Sequence, residues 1–272
     1  MSNPEQIKDN IEAVKGDFLD DKDISNALGD VDYVFHYIST TVPATAKKDP
    51  VHDITSNVIG SVRLFQQAID HKIKKVIFSS SGGTVYGEPL SLPLRETDPL
   101  NPAEPYAIAK TAIERYLQYF HNTCGLDYTI LRYSNPYGEG QNPHGQQGVI
   151  PIFLEKIRRG ERPLIYGDGS MIRDYLYIED AVDATLAVFE KQTADKVYNV
   201  GSGEGVSVNH LIDIMSVITG RKIQPEYLQN SGAYIQRIVL DISKMRNEAG
   251  WKPVTSLEAG IKKTWDWISN LP

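Results

Sequence analysis

The sequence is short of several things. Cys124 is its only cysteine, which excludes an internal disulfide and any zinc cluster built from several cysteines. Its six histidines, His36, His52, His71, His121, His144 and His210, show no metal-ligand spacing, and each is read as structural or surface. No stretch approaches the roughly 18 consecutive apolar residues of a membrane span. The start, Met1–Lys8, is polar and has no apolar signal-peptide core. Positive charge is scarce too. The 28 Lys and Arg stand against 35 Asp and Glu, a net charge of −7, opposite in sign to the footprint of a nucleic-acid binder. No internal repeat and no low-complexity tract is visible. A soluble cytoplasmic protein with no nucleic acid, membrane or metal partner is expected.

What is present is ordinary globular material. Of 272 residues, 41% are hydrophobic and 23% charged, enough for one large or two small domains at roughly 100–200 residues each. Apolar β-rich runs alternate with helical patterns, which predicts an α/β fold with a parallel sheet. Strands are expected at Val31–His36, Lys75–Ser79, Asp127–Arg132 and Lys196–Val200. Helices are expected at Asp53–Asp70, Tyr106–His121, Val149–Arg159, Glu179–Lys191, Val208–Thr219 and Leu257–Ile268. Asn135–Gly148, rich in Gly, Pro and Asn, reads as a loop. A boundary near Asn135 is expected, with Glu179–Val200 returning to the first domain. That gives one domain of residues 1–135 plus about 179–200, and a second of 136–178 plus 201–272.

The sharpest chemical pattern is Tyr106-Ala-Ile-Ala-Lys110, opening a helix after Pro105. Positions i and i+4 share a helix face. An ammonium beside the phenol would lower the tyrosine pKa from about 10 and suit Tyr106 to general acid/base work. Upstream, Phe78-Ser-Ser-Ser-Gly-Gly-Thr-Val-Tyr-Gly87 carries a strand into a hydroxyl-rich turn, and ligands of open α/β sheets bind beyond the carboxyl ends of strands. A hydroxyl from Ser81 or Thr84 could align a substrate there, although Ser and Gly are also plain turn residues.

With these pieces the sequence resembles the extended short-chain dehydrogenase/reductases, and within them the NAD-dependent nucleotide-sugar epimerases. Nine segments carry the resemblance in family order. They are Gly16-Asp17-Phe18, Phe35-His36, Asn57-Val-Ile-Gly60, Ser79–Gly87, Tyr106–Lys110, Leu131-Arg-Tyr-Ser-Asn-Pro-Tyr-Gly138, Arg173-Asp-Tyr-Leu-Tyr-Ile-Glu-Asp180, Tyr198-Asn-Val-Gly-Ser-Gly203 and Gly250-Trp-Lys-Pro253. The resemblance implies a Rossmann-like parallel sheet with a smaller α+β substrate domain, NAD as cofactor and a UDP-hexose as substrate. It makes Tyr106 the catalytic base and Lys110 its partner, with Ser81 or Thr84 supplying the third catalytic hydroxyl. Asp17, Phe18, Asn57, Ser79, Tyr133 and Pro136 join Tyr106 and Lys110 around the cofactor. Asn135, Thr84, Arg173 and Arg237 fall to the substrate. For Arg173 the alternative is a salt bridge with Asp174 or Asp180. A homodimer joined through Asp53–Asp70 and Tyr106–His121 is also implied.

The sequence departs from the family at several places, among them the family's cofactor lysine after the His36 strand, which is missing, with Thr41 near its position. The family opens with a strand and a Gly-x-x-Gly-x-x-Gly turn that cradles the pyrophosphate at a helix N-terminus, and no counterpart is found. Gly201-Ser-Gly-Glu-Gly205 does not replace it. The strand at Val31–His36 is therefore expected at a sheet edge, covered by the N-terminal segment or by another chain. The family's Ser/Thr position, counted back from Val85-Tyr86, falls on Gly82. The C-terminal arginine that grips the diphosphate falls on Ser231, with Arg237 nearby. Gly83 and Thr84 stand where related dehydratases and decarboxylases carry acids, which leaves C4 epimerisation through a 4-keto sugar, or simple oxidoreduction. The competing reading is a catalytically silent homologue that binds a nucleotide sugar or only self-associates.

Overall fold

Short apolar runs become the strands of one sheet, and the amphipathic runs between them become the helices that cover it. The computed structural model describes residues 11–191, 193, 195–229 and 235–271. One compact unit takes the chain up to Ser80 together with Pro102–Leu131, and the other takes Ser81–Asn101 and Arg132 onward.

The first unit opens with α1 (Asp21–Ala27), whose cap Asp20 accepts from the amides of Lys22 and Asp23. It continues through β1 (Tyr33–His36), α2 (Pro43–Lys48), α3 (Pro50–Asp53), α4 (Gly60–Asp70) and β2 (Lys75–Ser81) to α5 (Pro105–Cys124) and β3 (Tyr128–Tyr133). Both α3 and α5 start on a proline, whose missing N–H costs nothing at that position. β1 pairs in parallel with β2, Tyr33 opposite Lys75 and His36 opposite Phe78. Val76, Ile77 and Phe78 of β2 and every residue of β3 are buried, the near-continuous apolar run of strands covered on both faces. Leu64, Phe65 and Ala68 of α4 and Ile113, Leu117 and Phe120 of α5 are buried. The Phe65 and Phe120 rings meet edge-on at 6.2 Å.

A π turn over Ile54–Ile59 joins α3 to α4, so Pro50–Asp70 is one helix with a bulge in it. Such bulges gather at functional positions. Gly60 sits just beyond it, where a Cβ would lie 2.6 Å from the Phe18 ring. Glycine is needed for that approach.

The second unit is built from short strands and longer helices. In chain order they are β4 (Asn135–Tyr137), α6 (Val149–Arg158), β5 (Leu164–Tyr166), β6 (Ile172–Arg173), β7 (Tyr175–Tyr177), α7 (Ile178–Glu190), β8 (Val197–Val200), β9 (Val206–Ser207), α8 (Val208–Thr219), β10 (Glu226–Leu228) and α9 (Leu257–Ser269). β4 pairs in parallel with β7, β5 in parallel with β10, and β6 antiparallel with β9. Leu154 of α6, Leu211 and Met215 of α8 and Ile261 of α9 meet in one fully buried cluster. Each contributes roughly 1.5–3 kcal/mol by leaving water. A smaller cluster joins Val85, Tyr86 and Leu94 to Ile238 and Leu240.

The α/β class with a parallel sheet is as expected. The four-stranded sheet runs β1-β2-β3-β8. Within Asn135–Gly148, read as a loop, Asn135–Tyr137 forms a strand because β7 offers it a parallel partner. The compact units do not coincide with the expected cofactor and substrate domains, which are defined by role and return below as a proposal. β1 comes first among the described strands. The segment expected to cover it includes residues 1–10, outside those described, as is Ser231.

Candidate active site

Tyr106 and Lys110 lie one turn apart at the start of α5. Lys110 is buried, and its Nζ donates to the Ser79 carbonyl at 2.8 Å. The same ammonium lies 4.9 Å from the centre of the Phe78 ring and 5.8 Å from that of Tyr106. β2 thus anchors the lysine through Ser79, two residues before Ser81 on the chain. Ser80 turns the other way and donates to the buried Glu114 at 2.5 Å.

Electrostatics departs from the sequence expectation. Burial pushes the Tyr106 phenol up to about 12; a hydrogen bond with Ser39 opposes this, and the negative charges of Asp53 and Glu104 add to it. The expected lowering by Lys110 is not found: loss of water around the phenol dominates and the shift is upward. Burial takes Lys110 down to about 8 against the opposing influence of Asp53 and Glu114.

A polar cluster lies behind the pair in the same unit. Asn57 Oδ1 accepts from the Thr40 amide at 2.9 Å, and its Nδ2 donates to Thr41 Oγ1 and Asp53 Oδ1, both at 2.9 Å. Thr41 also donates to Asp53 Oδ1. Ser61 donates to the Asn57 carbonyl and shares a 2.8 Å hydrogen bond with His36 Nε2. His36 is packed among Phe18, Phe65 and Phe78, with centroids 5.3–6.0 Å away. Burial, with the Lys110 charge adding, lowers its pKa to about 3. His36 is structural, as expected. Asp53 and Glu114 are not among the residues that the sequence pattern singles out. Asp53 had a signal: it stands four residues before Asn57, on the same helix face. Asp17 is exposed, with one oxygen accepting from the Leu19 amide at 2.9 Å.

The remaining expected residues belong to the second unit. Thr84 Oγ1 donates to Ser81 Oγ at 3.0 Å, so the two candidate hydroxyls are hydrogen-bonded to each other. Gly82 could not carry the family's hydroxyl: a Cβ there would lie 2.6 Å from a Leu240 methyl and 2.9 Å from the Arg132 carbonyl oxygen. Tyr133 shares a 2.6 Å hydrogen bond with Thr185. Asn135 donates through Nδ2 to the Asp174 carbonyl at 2.9 Å, and Pro136 follows it in β4. Arg173 donates to the carbonyls of Ile172 and Ile235, both at 2.7 Å. Asp174 and Asp180 accept backbone amides. Arg237 is exposed and bridges Ile172, the neighbour of Arg173, so the two arginines come onto adjoining stretches of backbone.

Comparison with known proteins agrees with this geometry. Residues 1–201 match the NAD dependent epimerase/dehydratase family, and the chain belongs to that family. It is 36% identical over 264 residues to a UDP-glucose 4-epimerase of Mycolicibacterium smegmatis, covering 96% of this chain and 84% of the relative. It is 36% identical over 230 residues to a dTDP-4-dehydro-6-deoxyglucose reductase of Escherichia coli, covering 85% and 72%. Among solved structures, the UDP-glucose 4-epimerase of Thermotoga maritima with UDP-glucose superposes with a TM-score of 0.92. The two are 37% identical, with 97% of this chain and 86% of that one covered.

Proposed function

We propose that the chain is an NAD-dependent epimerase that inverts C4 of a UDP-hexose through a 4-keto sugar. The observation that carries the reading is the Tyr106–Lys110 pair at the head of α5, its lysine pinned to β2 through Ser79. The donor set suits the cofactor. Among the described residues the buried Lys110 ammonium makes one hydrogen bond, to the Ser79 carbonyl, leaving donors for a ribose diol. The Asp17 carboxylate, exposed beside Phe18, suits the adenine amine. NAD, when bound, supplies a reversible hydride acceptor and a positive charge.

The residues of this chain do the rest. Tyr106 takes the proton of the sugar 4-hydroxyl and later returns it. With its phenol resting near 12, it needs positive charge beside it to act as a base near neutral pH, and Lys110 is the resident source. Ser81, its own acceptor lone pair occupied by Thr84, keeps its hydroxyl hydrogen for the sugar oxygen. Asn135, Arg173 and Arg237 serve the sugar diphosphate, Arg through its planar fork. Asn57, Ser79, Tyr133 and Pro136 complete the cofactor side. The cofactor domain is residues 1–135 with about 179–200, and the substrate domain the remainder. Exposed Ile108, Tyr116 and Tyr119 on α5 support a homodimer joined through α4 and α5. No helix among the described residues is long and apolar enough to cross a membrane, and a cytoplasmic location is proposed.

The test is interconversion of UDP-glucose and UDP-galactose by the purified protein, with NAD binding measured by calorimetry. Tyr106→Phe is expected to lower kcat by about 10²–10⁴-fold while leaving NAD binding in place. Full activity in that variant would remove Tyr106 from its role. Absence of NAD binding at millimolar concentration would favour the silent homologue.

A further inference from the structure

Asp53 is the buried group around the site that the mechanism above leaves without a task. Its side chain is 1% exposed. Oδ1 accepts from both Thr41 and Asn57, while Oδ2 has no hydrogen-bond partner among the described residues. A carboxylate taken out of water and only half bonded is costly unless a cation nearby offsets it. Its helix turn, α3, packs directly against α5, as does the π turn that follows. α5 carries Lys110, the buried lysine among the described residues.

We propose that Asp53 is a positioning residue for the Tyr106–Lys110 pair: a fixed buried negative charge that keeps the Lys110 ammonium protonated in its dehydrated site and the Tyr106 phenol protonated until a ligand arrives. The proposal rests on the reading of Tyr106 and Lys110 as the acid/base pair. Other charges share the neighbourhood. Glu114 lies on α5 and Glu104 just before it, Lys47 of α2 acts on Glu104, His36 ends β1, and His52 shares the turn of Asp53. Glu114 is already bonded by Ser80, Lys47 is exposed and His36 is neutral. Among the described residues, Asp53 is the carboxylate of this set with a fully buried oxygen that has no hydrogen-bond partner. The shifts of both partners carry its sign: its charge opposes the fall of Lys110 and adds to the rise of Tyr106.

The test needs no turnover, so its failure is distinct from failure of the epimerase reading. Lysine-labelled, ligand-free protein is titrated by NMR, with the Lys110 signal assigned through Lys110→Arg. Asp53→Asn, close to isosteric, is expected to weaken proton binding at Lys110 by about tenfold. Asp53→Glu should restore most of it. Thr41→Val, which removes a hydrogen bond to the same carboxylate but no charge, should leave it within about twofold. The reciprocal measurement covers the case in which Asp53→Asn does not fold. In Lys110→Met, Asp53 followed by carbon-13 NMR should hold its own proton more tightly by the same factor, because the coupling is mutual. In active enzyme, Asp53→Asn should move the alkaline limb of the kcat/KM profile to lower pH. An unmoved Lys110 titration in Asp53→Asn, or an equal shift in Thr41→Val, would overturn the proposal.

Discussion

Two buried carboxylates, one in each compact unit, are held in opposite ways. Asp174 of the second unit is fully buried and accepts four hydrogen bonds. Ser202 gives its amide and hydroxyl to Oδ1, and the amides of Gly203 and Leu240 bind Oδ2. Nothing about Asp174 is left over for a ligand, and its work is to tie three stretches of chain together. Asp53 of the first unit is equally hidden but, among the described residues, bonded on one oxygen only. Saturation marks a carboxylate that builds the frame. A half-met carboxylate beside a dehydrated lysine marks one that sets charge.

Removing the acceptor altogether is the strongest way to break this contrast. Asp174→Ala strands three backbone amides and is expected to cost about 3–5 kcal/mol in urea unfolding. Asp53→Asn keeps the shape and a hydrogen-bonding group, and is expected to cost under about 1.5 kcal/mol. Equal losses would erase the distinction. His36 sharpens the picture of the first unit through pH. It stays neutral in the fold to about 3, against an ordinary 6.5. Between those values the unfolded chain binds a proton that the folded one does not, so stability is lost as pH falls. The loss approaches about 1.4 kcal/mol per pH unit, or about 1.6 kcal/mol from pH 6.5 to 5. Unfolding curves of His36→Gln across that window should be flatter than those of the parent protein. The smallest effect belongs to the second unit again. Glu155 accepts from both Arg158 and Arg159, and Arg159 is half exposed. Arg159→Gln leaves the Arg158 fork in place and should cost no more than about 1 kcal/mol.

Long periodic elements were legible in the sequence. Val208–Thr219 is found at the expected residues, and the four sheet strands lie within two residues of the expected ends. Their apolar spacing is set by the same burial that forms them. The strands of two or three residues, such as Ile172–Arg173 and Val206–Ser207, were not legible. A pair of residues has no period, and these exist only because a partner from far along the chain is present. In the site, Tyr106 and Lys110 could be read because helical spacing alone sets them side by side. The direction of the Tyr106 shift could not be read, since burial and Asp53 reach it through tertiary packing. The glycine at 82 looked like a lost hydroxyl. It is a space requirement set by the Arg132 carbonyl and the Leu240 side chain, both far along the chain, which no local pattern carries.

The π turn at Ile54–Ile59 also constrains how the chain can change length. A π turn carries one residue more than an α turn over nearly the same advance, so the surplus residue is taken up inside the bulge and the helix on either side keeps its phase. Removing one residue from the ordinary helix that flanks it would instead rotate everything beyond the deletion by about 100°, and the Leu64–Ala68 packing face would fall out of step with the head of the helix. The bulge works as a vernier: a single-residue deletion is expected to be tolerated better inside Ile54–Ile59 than in the helix on either side.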